Sequence, residues 1–148
     1  NPHAIDFPHA LIKEKNYEFS FSGLKSAVIN YIHTADQKGL SINKADVAAS
    51  FQKTVIDILV HKTIMAARST GMKTIVLAGG VAANSLLEQK LTEKCRENDL
   101  AFYFPSKILC TDNAAMIACR GYYQSLTGNF ADMKLNAVPY LELSDSHL

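Results

Sequence analysis

The sequence predicts a helix-rich α/β fold, on three observations. An apolar run of strand length, 74–78, ends in the glycine pair Gly79-Gly80 and leads into an amphipathic helix. A second short apolar run, 101–104, follows that helix and stops at Pro105. Upstream of both, two segments carry apolar residues at helical spacing. The 148 residues leave room for one domain, 1–148, and 48% apolar against 20% charged residues supplies a core while excluding disorder and collagen-like repeats.

Residues 1–17 hold two prolines and little periodicity, and read as an irregular lead-in. Phe19-Ser-Phe-Ser22 alternates as a short strand does, and Ser22 is placed to cap a helix through Leu24, Val28, Ile29 and Ile32. Gly39, Ser41 and Asn43 mark the turn after it. A second helix should run over 44–69, stopped by Gly71. Its wheel puts Asp46, Ser50, Lys53, Asp57, His61 and Arg68 in one wet stripe. Val47, Ala48, Phe51, Val55, Ile58, Leu59, Met65 and Ala66 take the apolar side. His61 then reads as a surface histidine. Lys62 centres on the apolar side, where it either snorkels to the edge or is a buried cation aimed at a phosphate or carboxylate. In the helix after the glycine pair, Leu87, Leu91 and Cys95 form a stripe at four-residue steps. Thr111 or Asp112 would cap a last helix carrying Ala115, Ile117, Ala118 and Tyr122, closed near Gly128. Residues 129–148, with Pro139, read as a tail.

Fifteen Lys and Arg against fourteen Asp and Glu give a net charge of +1 with no run of like charge, so bulk electrostatics announces no nucleic-acid partner. The apolar runs fall far short of the roughly 18 residues that a bilayer span needs. The first residues have no secretory pattern and no initiator Met, and the chain reads as a piece of something longer. Cys95, Cys110 and Cys119 match no zinc or redox spacing and read as buried free thiols of a reducing cytoplasm. His3, His9, His33, His61 and His147 include no pair at helical metal-binding spacing.

Two places can carry chemistry. Glycines at the carboxyl end of a strand admit a ligand or a second backbone, and the next helix brings free N–H groups and a positive dipole end suited to a ribose or phosphate. A structural tight turn explains Gly79 and Gly80 equally well, and neither a Walker loop nor a Gly-x-Gly-x-x-Gly motif occurs. Asp112 reads locally as a helix cap or as a hard oxygen ligand for a divalent metal, and one carboxylate cannot hold a metal alone.

Four blocks, in order, resemble the C-terminal half of the universal tRNA adenosine threonylcarbamoyltransferase family, long known as O-sialoglycoprotein endopeptidase or glycoprotease. They are Phe-Ser-Phe-Ser-Gly-Leu-Lys-Ser-Ala-Val over 19–28, Asp-Val-Ala-Ala-Ser-Phe-Gln over 46–52, Val-Leu-Ala-Gly-Gly-Val-Ala-Ala-Asn-Ser over 76–85 and Cys-Thr-Asp-Asn-Ala-Ala-Met-Ile-Ala over 110–118. The resemblance implies the C-terminal ribonuclease-H-like lobe of an actin-like ATPase fold, part of a longer two-lobed, cytoplasmic protein. It implies transfer of a threonylcarbamoyl group from threonylcarbamoyl-adenylate to the adenosine 3′ of the tRNA anticodon. By the same resemblance, Asn84 contacts the adenylate, Gly79 and Gly80 form the adjoining turn, and Asp112 is a metal ligand. The metal is one divalent ion, iron or zinc, shared with a His-x-x-x-His pair that this sequence lacks. Accessory proteins, an actin-like paralogue and a small ATPase among them, complete the implied partners.

The Ser-Gly-Gly-His block of the family is also missing, and Leu86 and Leu87 stand where the family often has an arginine. The fragment alone is therefore expected to be inactive, and no general base is evident in it. Three other readings compete. A metal-dependent endopeptidase lacks a glutamate beside a histidine pair, a non-catalytic actin-like partner would be expected to lack Asp112, and an actin-like small-molecule kinase would form ADP without tRNA.

Overall fold

The computed structural model describes residues 1–10, 12, 16–137 and 139. Part of the lead-in and half of the tail, His147 included, lie outside the described residues. The chain divides into two units, Asn1–Thr111 and Asp112–Leu148. In the first, helices α1 (Ser22–Gln37) and α2 (Lys44–Thr70) precede strand β1 (Thr74–Val76). A 3-10 turn (Gly80–Ala83), helix α3 (Ser85–Glu97), strand β2 (Ala101–Tyr103) and a short 3-10 turn (Lys107–Leu109) follow. The second unit carries helix α4 (Ala114–Leu126). The architecture is helix-rich α/β with a small open sheet.

Residues 19–21 form no strand, and Ser22 is the first residue of α1 and not its cap. Phe21 stands at the cap position, its carbonyl accepting from Lys25 N at 2.9 Å. A strand needs a partner to satisfy its backbone, and this segment pairs with neither β1 nor β2. The alternation instead sets the Phe19 and Phe21 rings side by side, 6.3 Å apart and 9° from parallel.

Helix α2 follows the sequence at both ends. Asn43 Oδ1 accepts from Ala45 N at 3.0 Å, and Gly71 closes the helix at φ +73°, a left-handed conformation that glycine adopts without strain. Its 27 residues make a rod of about 40 Å. More of its circumference is covered than a single stripe predicts. On one side Phe7, Leu24 and Val47 form a cluster with Ile5, Phe21 and Val28 against them. On another, Ile56, Val60 and Ile64 pack with Leu87, Leu91 and Cys95 of α3.

The wet-stripe expectation therefore fails at Ser50, which is 0% exposed because the lead-in crosses over it. Ile5 N donates to Ser50 Oγ at 3.2 Å, and the hydroxyl donates to Asn1 O at 3.4 Å. The apolar expectation fails at Phe51, 41% exposed, and at Ala48. Both line an apolar cleft of about 1320 Å³ between α1, α2 and the β1–α3 connection. Lys62 does not snorkel. It is 1% exposed, and its Nζ donates to Asn16 O at 2.7 Å and Asn16 Oδ1 at 2.8 Å.

Strands β1 and β2 run parallel, paired Thr74 with Ala101, Ile75 with Phe102 and Val76 with Tyr103. Ala101 N to Lys73 O at 2.8 Å and Leu77 N to Tyr103 O at 2.9 Å carry the pairing one residue further at each end. Ile75 and Phe102 face the α2–α3 core, and the alternate residues Val76 and Tyr103 face outward, 68% and 62% exposed. The apolar run at 74–78 is thus not buried on both faces. On α3, Leu87, Leu91 and Cys95 are buried as the stripe predicts. Cys95 and Cys110 are buried free thiols, whereas Cys119, on α4, is exposed.

Candidate functional site

The first candidate site lies where β1 hands over to α3. Its turn needs Gly79: φ +90° and ψ 174° fall in a region closed to side chains. Gly80 has no such requirement, and a Cβ there would meet no atom within 4 Å. Glycine at 80 leaves a strip of backbone bare toward solvent. Ala82 N donates to Gly79 O at 2.9 Å, closing the 3-10 turn, and Ala82 is buried beneath it.

Asn84 ends the turn with φ −74° and ψ 112°, an extended conformation that aims its side chain at the start of α3. Its Oδ1 accepts from Leu86 N at 3.0 Å and Leu87 N at 3.2 Å, and its carbonyl accepts from Glu88 N at 3.1 Å. Of the first four N–H groups of α3, that of Ser85 is left over among the described residues. A third donor, Gln52 Nε2 on α2, reaches the same Oδ1 at 3.4 Å. The Asn84 amide nitrogen makes no hydrogen bond among the described residues and is not sealed from solvent. Leu86 and Leu87 both turn toward the core, so neither offers a polar group here. A cation reaches this helix end from the second 3-10 turn, where Lys107 Nζ donates to Ser85 Oγ at 2.7 Å.

The second candidate site lies at the start of the other unit. The cap of α4 is neither Thr111 nor Asp112 but Asn113, whose Oδ1 accepts from Met116 N at 3.1 Å. Asn113 has the extended backbone that a cap requires, φ −152° and ψ 158°. Asp112 is exposed, and its carboxylate carries no hydrogen bond or ion pair among the described residues. Among those residues no three His, Cys, Asp or Glu side chains group to hold a metal. An exposed, uncommitted carboxylate such as that of Asp112 has the chemistry of one hard oxygen ligand to a divalent ion.

Gly79, Gly80 and Asn84 thus come together in one turn, and Asp112 opens the second unit. His61 is exposed on α2. Two residues at the helix end carried no sequence-based role. Gln52 closes the second family-like block, which was the available signal, and nothing in the sequence points to Lys107. No helix of the described residues is long and apolar enough to cross a membrane.

Residues 1–119 match the sequence profile described as TsaD, tRNA N6-adenosine threonylcarbamoyltransferase. This chain is 52% identical over 144 residues to the tRNA N6-adenosine threonylcarbamoyltransferase of Desulfitobacterium hafniense strain Y51, covering 97% of this chain and 42% of that protein. It is 55% identical to the Moorella thermoacetica protein of the same description, with the same coverage. It is 49% identical to that of Clostridioides difficile strain 630, covering 97% and 43%. The chain belongs to the tRNA N6-adenosine threonylcarbamoyltransferase family. It spans 42–43% of the length of these relatives.

Proposed function

We propose that this chain is part of a cytoplasmic enzyme that transfers a threonylcarbamoyl group from threonylcarbamoyl-adenylate to the exocyclic amine of the adenosine 3′ of the tRNA anticodon. The reading includes its placement in the C-terminal lobe of a two-lobed, actin-like ATPase fold, and partnership with an actin-like paralogue and a small ATPase. The observation that carries it is the family match over residues 1–119, a span that includes Gly79, Gly80, Asn84 and Asp112.

The residues at the start of α3 suit one end of such a reaction. In acyl transfer the amine attacks the carbamoyl carbon, the bond to the phosphate oxygen breaks, AMP departs and the amine loses a proton. Asn84 Nδ2 would donate to the adenylate while Oδ1 stays with the helix, fixing the nucleotide so that binding energy becomes orientation. Bare backbone at Gly80 would let the nucleotide approach within contact distance. The α3 dipole and the Ser85 N–H favour negative charge at the same end. Asp112 would hold one position of the divalent metal, whose chemistry when bound is neutralisation of charge on the adenylate phosphate.

In the full-length enzyme, Asp112→Ala should abolish most threonylcarbamoyladenosine in tRNA, read by nucleoside mass spectrometry, and lower the metal content. Wild-type modification by that variant would overturn the proposal.

A further inference from the structure

Asn84 Oδ1 receives three donors, Leu86 N at 3.0 Å, Leu87 N at 3.2 Å and Gln52 Nε2 at 3.4 Å. An amide oxygen has two lone pairs, so three donors saturate it. Both hydrogens of the amide nitrogen are without a partner among the described residues. The two helix N–H groups come from consecutive residues at one helix end. Gln52 approaches from another element, 32 residues away in sequence. Its helix is held by the buried Ser50, whose Oγ accepts from Ile5 N of the lead-in at 3.2 Å, and by Ile56 in the core. A donor on a packed helix fixes a neighbouring ligand group in the way that outer-shell partners fix metal-binding side chains.

We propose that Gln52 is a positioning residue for the nucleotide. By donating to Asn84 Oδ1 it sets the amide plane, so that Nδ2 presents its hydrogens to an acceptor on the adenylate. The inference rests on the reading of Asn84 as an adenylate contact. Because the Asn84 oxygen is already saturated, the group recognised must be a hydrogen-bond acceptor, such as a ribose or phosphate oxygen, and not a donor.

The test uses steady-state kinetics of the full-length enzyme with threonylcarbamoyl-adenylate. Gln52→Met keeps length and packing but removes the donor, and it should raise KM for the adenylate about three- to tenfold with kcat within about twofold, the pattern of lost ground-state binding. Gln52→Lys, which restores a donor on a long side chain, should return KM to near wild type. Should Gln52→Met fail to fold, Gln52→Glu serves in its place, since an ionised carboxylate cannot donate and repels Oδ1. In an Asn84→Ala background Gln52→Met should have no further effect on KM. A wild-type KM for Gln52→Met, or an equal rise in the presence and absence of Asn84, would overturn the role of Gln52 and leave that of Asn84 standing. A wild-type KM for Asn84→Ala would instead remove the reading beneath it.

Discussion

Replacing Asn84 by aspartate separates two functions that one side chain combines. The oxygen that caps α3, accepting from Leu86 N and Leu87 N, survives the change, and the amide nitrogen does not. Asn84→Ala removes both, and loss of a cap of this kind costs about 1 kcal/mol, within a range of about 0.5–2. Asn84→Asp keeps the acceptor and adds a negative charge at a helix N-terminus, worth about 0.3–1 kcal/mol in its favour. Urea unfolding of the full-length enzyme should therefore rank aspartate at or above asparagine, with alanine about 1–2 kcal/mol below aspartate. Affinity should rank differently. Losing a donor to a charged group costs about 1.5–3 kcal/mol, or roughly 10- to 150-fold in adenylate binding. Aspartate should be worse than alanine because its negative charge would face the acceptor oxygen of the adenylate. An aspartate variant as unstable as alanine would refute the capping argument, and one that binds adenylate like wild type would refute the assignment of the nitrogen.

Gly79→Ala should cost about 1–3 kcal/mol in urea unfolding, because φ +90° with ψ 174° excludes a side chain; a cost near zero would show that the turn relaxes. Gly80→Ala should change stability by less than about 0.5 kcal/mol, since its Cβ meets open space, yet raise KM for the adenylate if the ligand crosses that backbone. Leu91→Ala, in the middle of the α2–α3 core, should cost about 2–5 kcal/mol, and a smaller loss would mean that α3 collapses into the cavity. Burial pushes the Cys95 thiol above the usual thiol range, so the folded state keeps its proton where the unfolded chain loses it. That contribution to stability is complete below the unfolded thiol value of about 8.5 and is lost as pH rises through the folded one. The urea midpoint should drop at alkaline pH with a slope that Cys95→Ala reduces, and an unchanged slope would contradict the burial argument.

Patterns that belong to one segment are legible in the amino-acid sequence by themselves. Asn43 and Gly71 bound α2 because a cap and a left-handed stop are local chemistry, and the Leu87-Leu91-Cys95 stripe is buried because α3 has one covered side. Features that escape such reading depend on a second segment. Ser50 joins a polar stripe on any wheel, and only the lead-in crossing over it makes it buried. The Phe19-Ser-Phe-Ser alternation has the right period but no strand to pair with. The capping of α4 falls on Asn113 and not on Thr111 or Asp112 because all three can cap and the backbone angles choose among them. For the site, Gly79, Gly80, Asn84 and Asp112 are visible as motif residues. The contact from Gln52 to Asn84 joins positions 32 apart, which no local pattern reports.

The ammonium of Lys62, held by both oxygens of Asn16, bears on where this polypeptide can be trimmed. A start point downstream of residue 16 would look harmless by periodicity, since no helix or strand of the described residues is cut. It would remove those two acceptors from an ammonium 1% exposed in the middle of a long helix, and taking acceptors away from a buried charge is costly. Asn16 is therefore an integral part of the packing around α2, and expression boundaries should be drawn upstream of it.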